Sequence, residues 1–98
     1  MRDVVESIEV MAEVDEASHR WTRLEDAWSA VQWALSRDPT LGEPLVEGGH
    51  IRSFVFVGSY AHDMPTIDVV YVVYEVTQTQ IIIERVRFRT ASISAGHA

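Results

Sequence analysis

The chain has 98 residues, a formal charge of −7 and an apolar fraction near one half (47%). That is enough chain for one domain with a core of its own. It contains no cysteine, which excludes a disulfide framework, a thiol nucleophile and a thiolate metal site.

Asp3, Glu6 and Glu9 come before any apolar run forms. The start of the chain therefore does not read as a secretory leader. No stretch approaches the roughly 20 apolar residues of a membrane span, so a soluble cytoplasmic protein is expected. Residues 7–14 alternate, with Ile8, Val10, Ala12 and Val14 on one side and Glu9, Met11 and Glu13 on the other. This predicts a half-buried strand with a charged outer face suited to a sheet edge. The competing reading is a helix running on from about Val4, since Glu, Met and Ala are good helix formers.

Asp15 or Ser18 can cap the next element. Trp21, Leu24, Trp28, Val31 and Leu35 then recur at helical spacing and form one narrow apolar stripe, with Arg23, Asp26 and Arg37 on the far side. Pro39 stops this helix, because it pushes Asp38 out of the helical region. Leu41-Gly42-Glu43-Pro44 and Gly48-Gly49 read as connectors. Strands are predicted at residues 51–57, 66–76 and 79–88, with a loop over 58–65 and a tight Thr77-Gln78 connection between the last two. The middle run, Ile67 to Tyr74, is apolar on both faces and predicts the central strand. One helix covers only one face of a sheet, so the other face needs a second copy, a partner segment or a short extra helix. Residues 90–98 are small and polar and predict a frayed tail. The expected fold is α+β: a four-stranded antiparallel sheet over residues 1–89, packed against one long N-terminal helix, continuous or broken.

The charge is uneven. Residues 1–47 hold eleven Asp/Glu and four Arg, whereas residues 48–98 hold four of each. An acidic chain is a poor general binder of nucleic acid, which is held through phosphate neutralisation. All the basic residues are Arg and none is Lys. Arginine suits planar phosphate contacts but stays charged and cannot act as a base.

On the last predicted strand, strict alternation puts Ile81, Ile83, Arg85, Arg87 and Arg89 on one face and Gln80, Ile82, Glu84, Val86 and Phe88 on the other. Arginines spaced about 7 Å apart along a strand match successive phosphates. An equally open reading is a solvated strand end whose arginines pair with Glu43, Glu47 or Asp68. Arg52 joins the cluster if its strand lies alongside. Tyr71 and Tyr74 point to opposite faces, so one of them faces inward, and a tyrosine on the arginine face would stack on a base. The four histidines are scattered; His62-Asp63 is a base–orienter pair only if two sequence neighbours achieve that geometry. There is no ligand spacing for a metal, no phosphate-cradling glycine loop and no nucleophile elbow. Trp33 lies off the helix stripe and is a candidate anchor for a partner.

This order of elements resembles the RelE/ParE superfamily of bacterial type II toxins. The matching pieces are the Trp/Leu-rich helix ending at Arg37-Asp38-Pro39, the Gly42-Glu43-Pro44-Leu45 connector, Gly48-Gly49 before Ile51-Arg52, the strand Val72-Val73-Tyr74-Glu75-Val76, and the last strand from Ile81 to Arg89. The resemblance implies a compact domain with a twisted antiparallel sheet packed on helices. RelE-type members cut messenger RNA on the ribosome, ParE-type members inhibit DNA gyrase, and both are silenced by an antitoxin. Three features differ. Members often place a helical hairpin before the sheet. RNA-cutting members commonly carry a basic residue before the central-strand Tyr, where this chain has Tyr71 or, in a shifted alignment, Asp68. The lysines common at their cleavage site have no counterpart.

The resemblance makes the expected function that of a toxin which stops translation by ribosome-dependent mRNA cleavage. Arg85, Arg87 and Arg89 would hold the scissile phosphate, Arg52 would assist and Tyr71 would stack on a base. The expected partners are an antitoxin, anchored at Trp33, and the ribosome with its mRNA; no cofactor or metal is expected. Two alternatives stand beside it. One is a non-catalytic protein-binding module of the same fold, such as a gyrase inhibitor or a non-toxic relative. The other is a homodimer formed through the second apolar sheet face.

Overall fold

The computed structural model describes residues 3–73 and 80–91. The chain forms β1 (Asp3–Glu6), α1 (Ile8–Ser18), α2 (Leu24–Arg37), β2 (Glu43–Pro44), β3 (Ile51–Phe56), a 3-10 turn at Tyr60–His62, β4 (Thr66–Val73) and β5 (Gln80–Arg89). The sheet order is β1-β5-β4-β3-β2. Neighbours from β2 to β5 are antiparallel, while β1 runs parallel to β5. The α+β class is as expected. The sheet, however, has five strands and is mixed, and two helices stand where one was expected.

The first correction concerns the strand expected over residues 7–14, where α1 begins at Ile8. Ser7 is the N-cap, its hydroxyl accepting from the Val10 N–H at 3.2 Å. Glu9 in the first turn complements the helix dipole. Val10, Val14 and Ala17 share one face at helical spacing, and Val10 and Ala17 are buried. The strand lies just upstream, where Val4 and Val5 pair with Ile81 and Ile82. A parallel pair needs a long connection, and here it runs through both helices and through β2, β3 and β4.

Neither Asp15 nor Ser18 caps α2. The Ser18 hydroxyl instead donates to the Asp15 carbonyl at 2.6 Å. Between the helices, Trp21 N–H donates to the Ala17 carbonyl and Leu24 N–H to the Trp21 carbonyl. The apolar stripe of α2 is as expected, and the helix ends at Arg37 with Asp38 extended before Pro39.

The core lies between the helices and one face of the sheet. Val10, Leu24, Val31 and Leu35 meet Ile67, Val69, Tyr71, Ile81 and Ile83. Trp21 and Trp28 flank Phe88 with ring centres 6.3 and 6.2 Å away, a spacing at which aromatic pairs attract. Glu6 on β1 points under the helices, where its Oε2 accepts from Trp28 Nε1 at 3.0 Å and Gln32 Nε2 at 2.6 Å. These bonds offset the cost of partly desolvating that carboxylate.

A register shift decides which side of the sheet each β5 residue occupies. Val70 pairs with Arg85, but Tyr71 pairs with Ile83, which leaves Glu84 as the extra residue of a bulge. The apolar alternation of β5 changes phase at this point. Ile81 and Ile83 face the helices before the bulge, and Val86 and Phe88 do so after it. Without the extra residue, one of these pairs would face away from the core. Strict alternation therefore fails: Ile82, not Ile81 or Ile83, shares the outer face with the arginines.

β4 is the central strand, as expected. The Thr77-Gln78 connection, Tyr74 and the end of the tail fall outside the described residues. Ala91, at the start of the expected tail, is buried.

Candidate functional site

The face of the sheet away from the helices carries two adjoining surfaces. The first is an apolar row. Val5 pairs with Ile82, Ile82 with Val72, and Val72 with Ile51, so these four side chains lie abreast across β1, β5, β4 and β3. Four strands at about 4.8 Å spacing make a row roughly 14 Å long. Val70 lies beside it, and none of the five packs against the buried core. Val5 is 40% exposed. Among the described residues, no element covers this row.

The second surface is charged. Arg85, Arg87 and Arg89 all reach this face, opposite Val70, Asp68 and Thr66. Asp68 sits among them. Arg89 grips it with two bonds, Nε to Oδ2 at 2.8 Å and Nη2 to Oδ1 at 3.1 Å, while Arg87 Nε lies 3.8 Å from Oδ2. The hydrogen bonds from Arg89 hold the Asp68 carboxyl below its ordinary range, with burial working against them and the charges of Arg89 and Arg87 adding to the shift. One carboxylate thus occupies Arg89 and partly engages Arg87. Arg85, displaced by the bulge, makes no ion pair among the described residues.

Tyr71 and Arg52 do not join the arginine face. They pair with each other across β3 and β4 and both point to the helix side. Tyr71 is fully buried; its hydroxyl accepts from Gly42 N–H at 2.9 Å and donates to the Pro39 carbonyl at 2.8 Å. Burial raises its pKa, against the opposing effect of the Gly42 bond. The arrangement needs glycine at position 42, because a Cβ there would collide with the Ser53 carbonyl and the Tyr71 hydroxyl. Arg52 holds the connector together, with Nε donating to Gly49 O at 2.8 Å and Nη1 to Gly42 O at 2.7 Å and Thr40 O at 3.3 Å. Both residues therefore brace the loop into β2 and β3, and base stacking by Tyr71 beside the arginines is not open to it.

Trp33 stands on the helix layer, 56% exposed, with the Arg37 guanidinium 4.8 Å from its ring centre. It is not part of the open sheet face. His62 and Asp63 do not act on each other. Ser59 Oγ meets His62 Nδ1 at 2.8 Å, and Asp63 Oδ2 accepts from Thr22 N–H at 2.6 Å, which lowers its pKa. Asp63 has a positive φ of 55°, a conformation Asp tolerates. Its contacts tie the 58–65 loop to the turn between the helices.

The structure also shows a feature missed in the sequence. On the helix side, a groove of about 660 Å³ opens between α1 and the sheet; Phe54, Val69, Val86, Phe88 and Trp21 line it, with Glu13, Glu16 and Arg20 among its other walls. Glu9, Glu13 and Glu16 at i, i+4 and i+7 are the signal in the sequence, which the strand reading of residues 7–14 obscures. Among the described residues no cluster of His, Asp and Glu could hold a metal ion, and no helix is long and apolar enough to cross a membrane. No protein-family model matches this chain, and no curated protein matches it.

Proposed function

We propose that this chain is a RelE/ParE-like protein, the toxin-type member of a toxin–antitoxin pair, which acts by binding a protein through its open sheet face. The observation that carries this reading is the row Val5, Ile82, Val72 and Ile51, uncovered among the described residues and bordered by arginines. An apolar centre with arginine beside it is the composition of a protein interface. The pair of helices between β1 and β2 supports the family likeness, since it supplies the feature one long helix would have lacked.

Cleavage of messenger RNA is the second reading, and the alignment of Arg85, Arg87 and Arg89 on one face favours it. It ranks lower because the groups meant to work together are separated. Tyr71 and Arg52 lie on the other side of the sheet, and Asp68 already engages Arg89. A phosphate would have to compete with that carboxylate.

The test is induction of the chain in a bacterial host with pulse-labelling of protein and DNA synthesis. Under the protein-binding reading, Ile82→Asp with Val72→Asp removes any inhibition, while Arg85→Ala, Arg87→Ala and Arg89→Ala together weaken it less. The reverse order, with the triple alanine variant inert and the aspartate variant folded and active, would favour RNA cleavage.

A further inference from the structure

From the free edge of β5 we infer that the protein partner adds an extended strand to this sheet, pairing with residues 84–89 and setting carboxylates against Arg85 and Arg87. The inference rests on the protein-binding reading but uses the rim of the sheet rather than its open face. β1 pairs with β5 only from Gln80 to Ile83. A bond from Ser7 N–H to the Ile83 carbonyl at 3.2 Å closes that pairing, and the chain then turns into α1. From Glu84 on, β5 has β4 on one side and, among the described residues, no strand on the other. Exposure follows the same division. Ile81 and Ile83, beside β1, are fully buried, whereas Glu84, Arg85, Arg87 and Arg89 are exposed and Val86 and Phe88 are half-buried. Alternate N–H and C=O groups along such an edge point outward in the plane of the sheet, where one more strand can take them.

The cross-strand neighbours select the occupant. Two copies of this edge, paired antiparallel over residues 84–89, would set Arg87 opposite Arg87 and Arg85 opposite Arg89, and like charges directly opposite are destabilising. Residues 92–98 contain no Asp or Glu, so they bring no carboxylate to the arginines. A partner strand with Asp or Glu at alternate positions does, because directly opposite side chains lie about 5 Å apart. Arg85 has no ion pair among the described residues, and Arg87 is largely exposed at 3.8 Å from Asp68. Asp68 grips Arg89, but it stands on β4, across β5 from the free edge, and leaves that edge open. The other face of the added strand meets Val86 and a hollow of about 220 Å³ between α1 and the edge, whose walls also carry Glu9, Glu13 and Glu84. Carboxylates therefore fit on the arginine side only, and the side chains between them are apolar. Main-chain bonds hold such a strand and its alternating pattern gives the specificity.

The probe is a fluorescently labelled peptide of about nine residues alternating Glu and Val, long enough to span the free edge, with a Lys/Val peptide of the same pattern as its counterpart. Binding to the full chain is followed by anisotropy. The Glu/Val peptide is expected to bind, and Arg87→Glu should weaken it about ten-fold or more and favour the Lys/Val peptide. Arg23→Glu changes the net charge equally, on the helix layer, and should leave binding nearly unchanged. In a strand the N–H groups of the Glu residues all point to one side and those of the Val residues to the other. N-methylation of one set should therefore abolish binding while methylation of the other set spares it. Hydrogen exchange should slow at alternate amides of residues 84–89 when the peptide is bound. The inference is overturned if the Glu/Val peptide does not bind, if both methylated peptides bind equally, or if Arg23→Glu weakens binding as much as Arg87→Glu. It is also overturned if Ile82→Asp with Val72→Asp, still folded, loses the peptide, which would place it on the open face. Because that variant leaves the edge intact, failure here can be told from failure of the open-face reading.

Discussion

The two faces of this sheet use similar residues for opposite ends. The inner face sets Ile67, Val69, Tyr71, Ile81 and Ile83 against the helices, and all five are essentially removed from solvent. The outer face sets Val70, Val72, Ile82, Ile51 and Val5 side by side, and no described element covers them. The polar residues divide the same way. On the inner face Tyr71, Arg52 and Glu6 are each satisfied by hydrogen bonds within the fold. On the outer face Arg87 and Arg89 share the one Asp68 carboxylate, and Arg85 has no ion pair among the described residues. One face is closed chemically, and the other is covered by no element among the described residues. The bulge at Glu84 separates the roles, because it lets Ile81, Ile83, Val86 and Phe88 all turn inward while the arginines turn out.

The largest test of this contrast is truncation of two neighbours on one strand. Ile83→Ala should cost about 2–5 kcal/mol in chemical denaturation, since it empties a closed core site. Ile82→Ala, one residue away on the open face, should cost roughly 1 kcal/mol or less. Equal losses would mean that something covers the outer face in the isolated protein. Next comes Tyr71→Phe, which leaves Gly42 N–H and the Pro39 carbonyl without their partner. A loss of about 1–3 kcal/mol is expected, with little effect on binding at the open face. If Tyr71→Phe instead spared stability and abolished activity, the tyrosine would be functional after all.

Ser7→Ala marks the point where the chain leaves the sheet for the helix layer and should cost about 1 kcal/mol through loss of the cap. The smallest effect concerns Asp68. Its pKa is lowered in the folded state, so its contribution to stability is present above the ordinary aspartate value of 3.8 and is lost as pH falls through the folded value. The groups involved are partly exposed, with Asp68 at 32% and Arg89 at 49%, so the contribution should be below about 1 kcal/mol. Asp68→Asn should flatten the acid limb of a stability–pH curve while freeing Arg87 and Arg89. An increase in RNA affinity at low salt would then show that Asp68 had been masking the arginines.

What could be read in the sequence was local. The α2 stripe from Leu24 to Leu35, its stop at Pro39 and the run of later strands follow from spacing and turn chemistry. The β1–α1 boundary could not be read this way, because residues 8–14 fit both a period of two and a helical face. Only the pairing of Val4 and Val5 with Ile81 and Ile82, nearly 80 residues later in the chain, separates the two. The arginine face is legible as three residues at alternate positions, with Asp68 as one candidate partner in the sequence. The faces taken by Tyr71, Arg52 and Ile82 are not, because they depend on cross-strand register and on a bulge. A change of phase between Ile81/Ile83 and Val86/Phe88 was the available clue.

The most direct test of the central claim adds the purified chain to a reconstituted translation system and maps the messenger RNA by primer extension. Action by protein binding predicts intact message at every chain concentration, whether or not synthesis slows. New cuts in ribosome-bound message, lost in the Arg85→Ala, Arg87→Ala and Arg89→Ala variant while it remains folded, would contradict the account and make the arginine face catalytic.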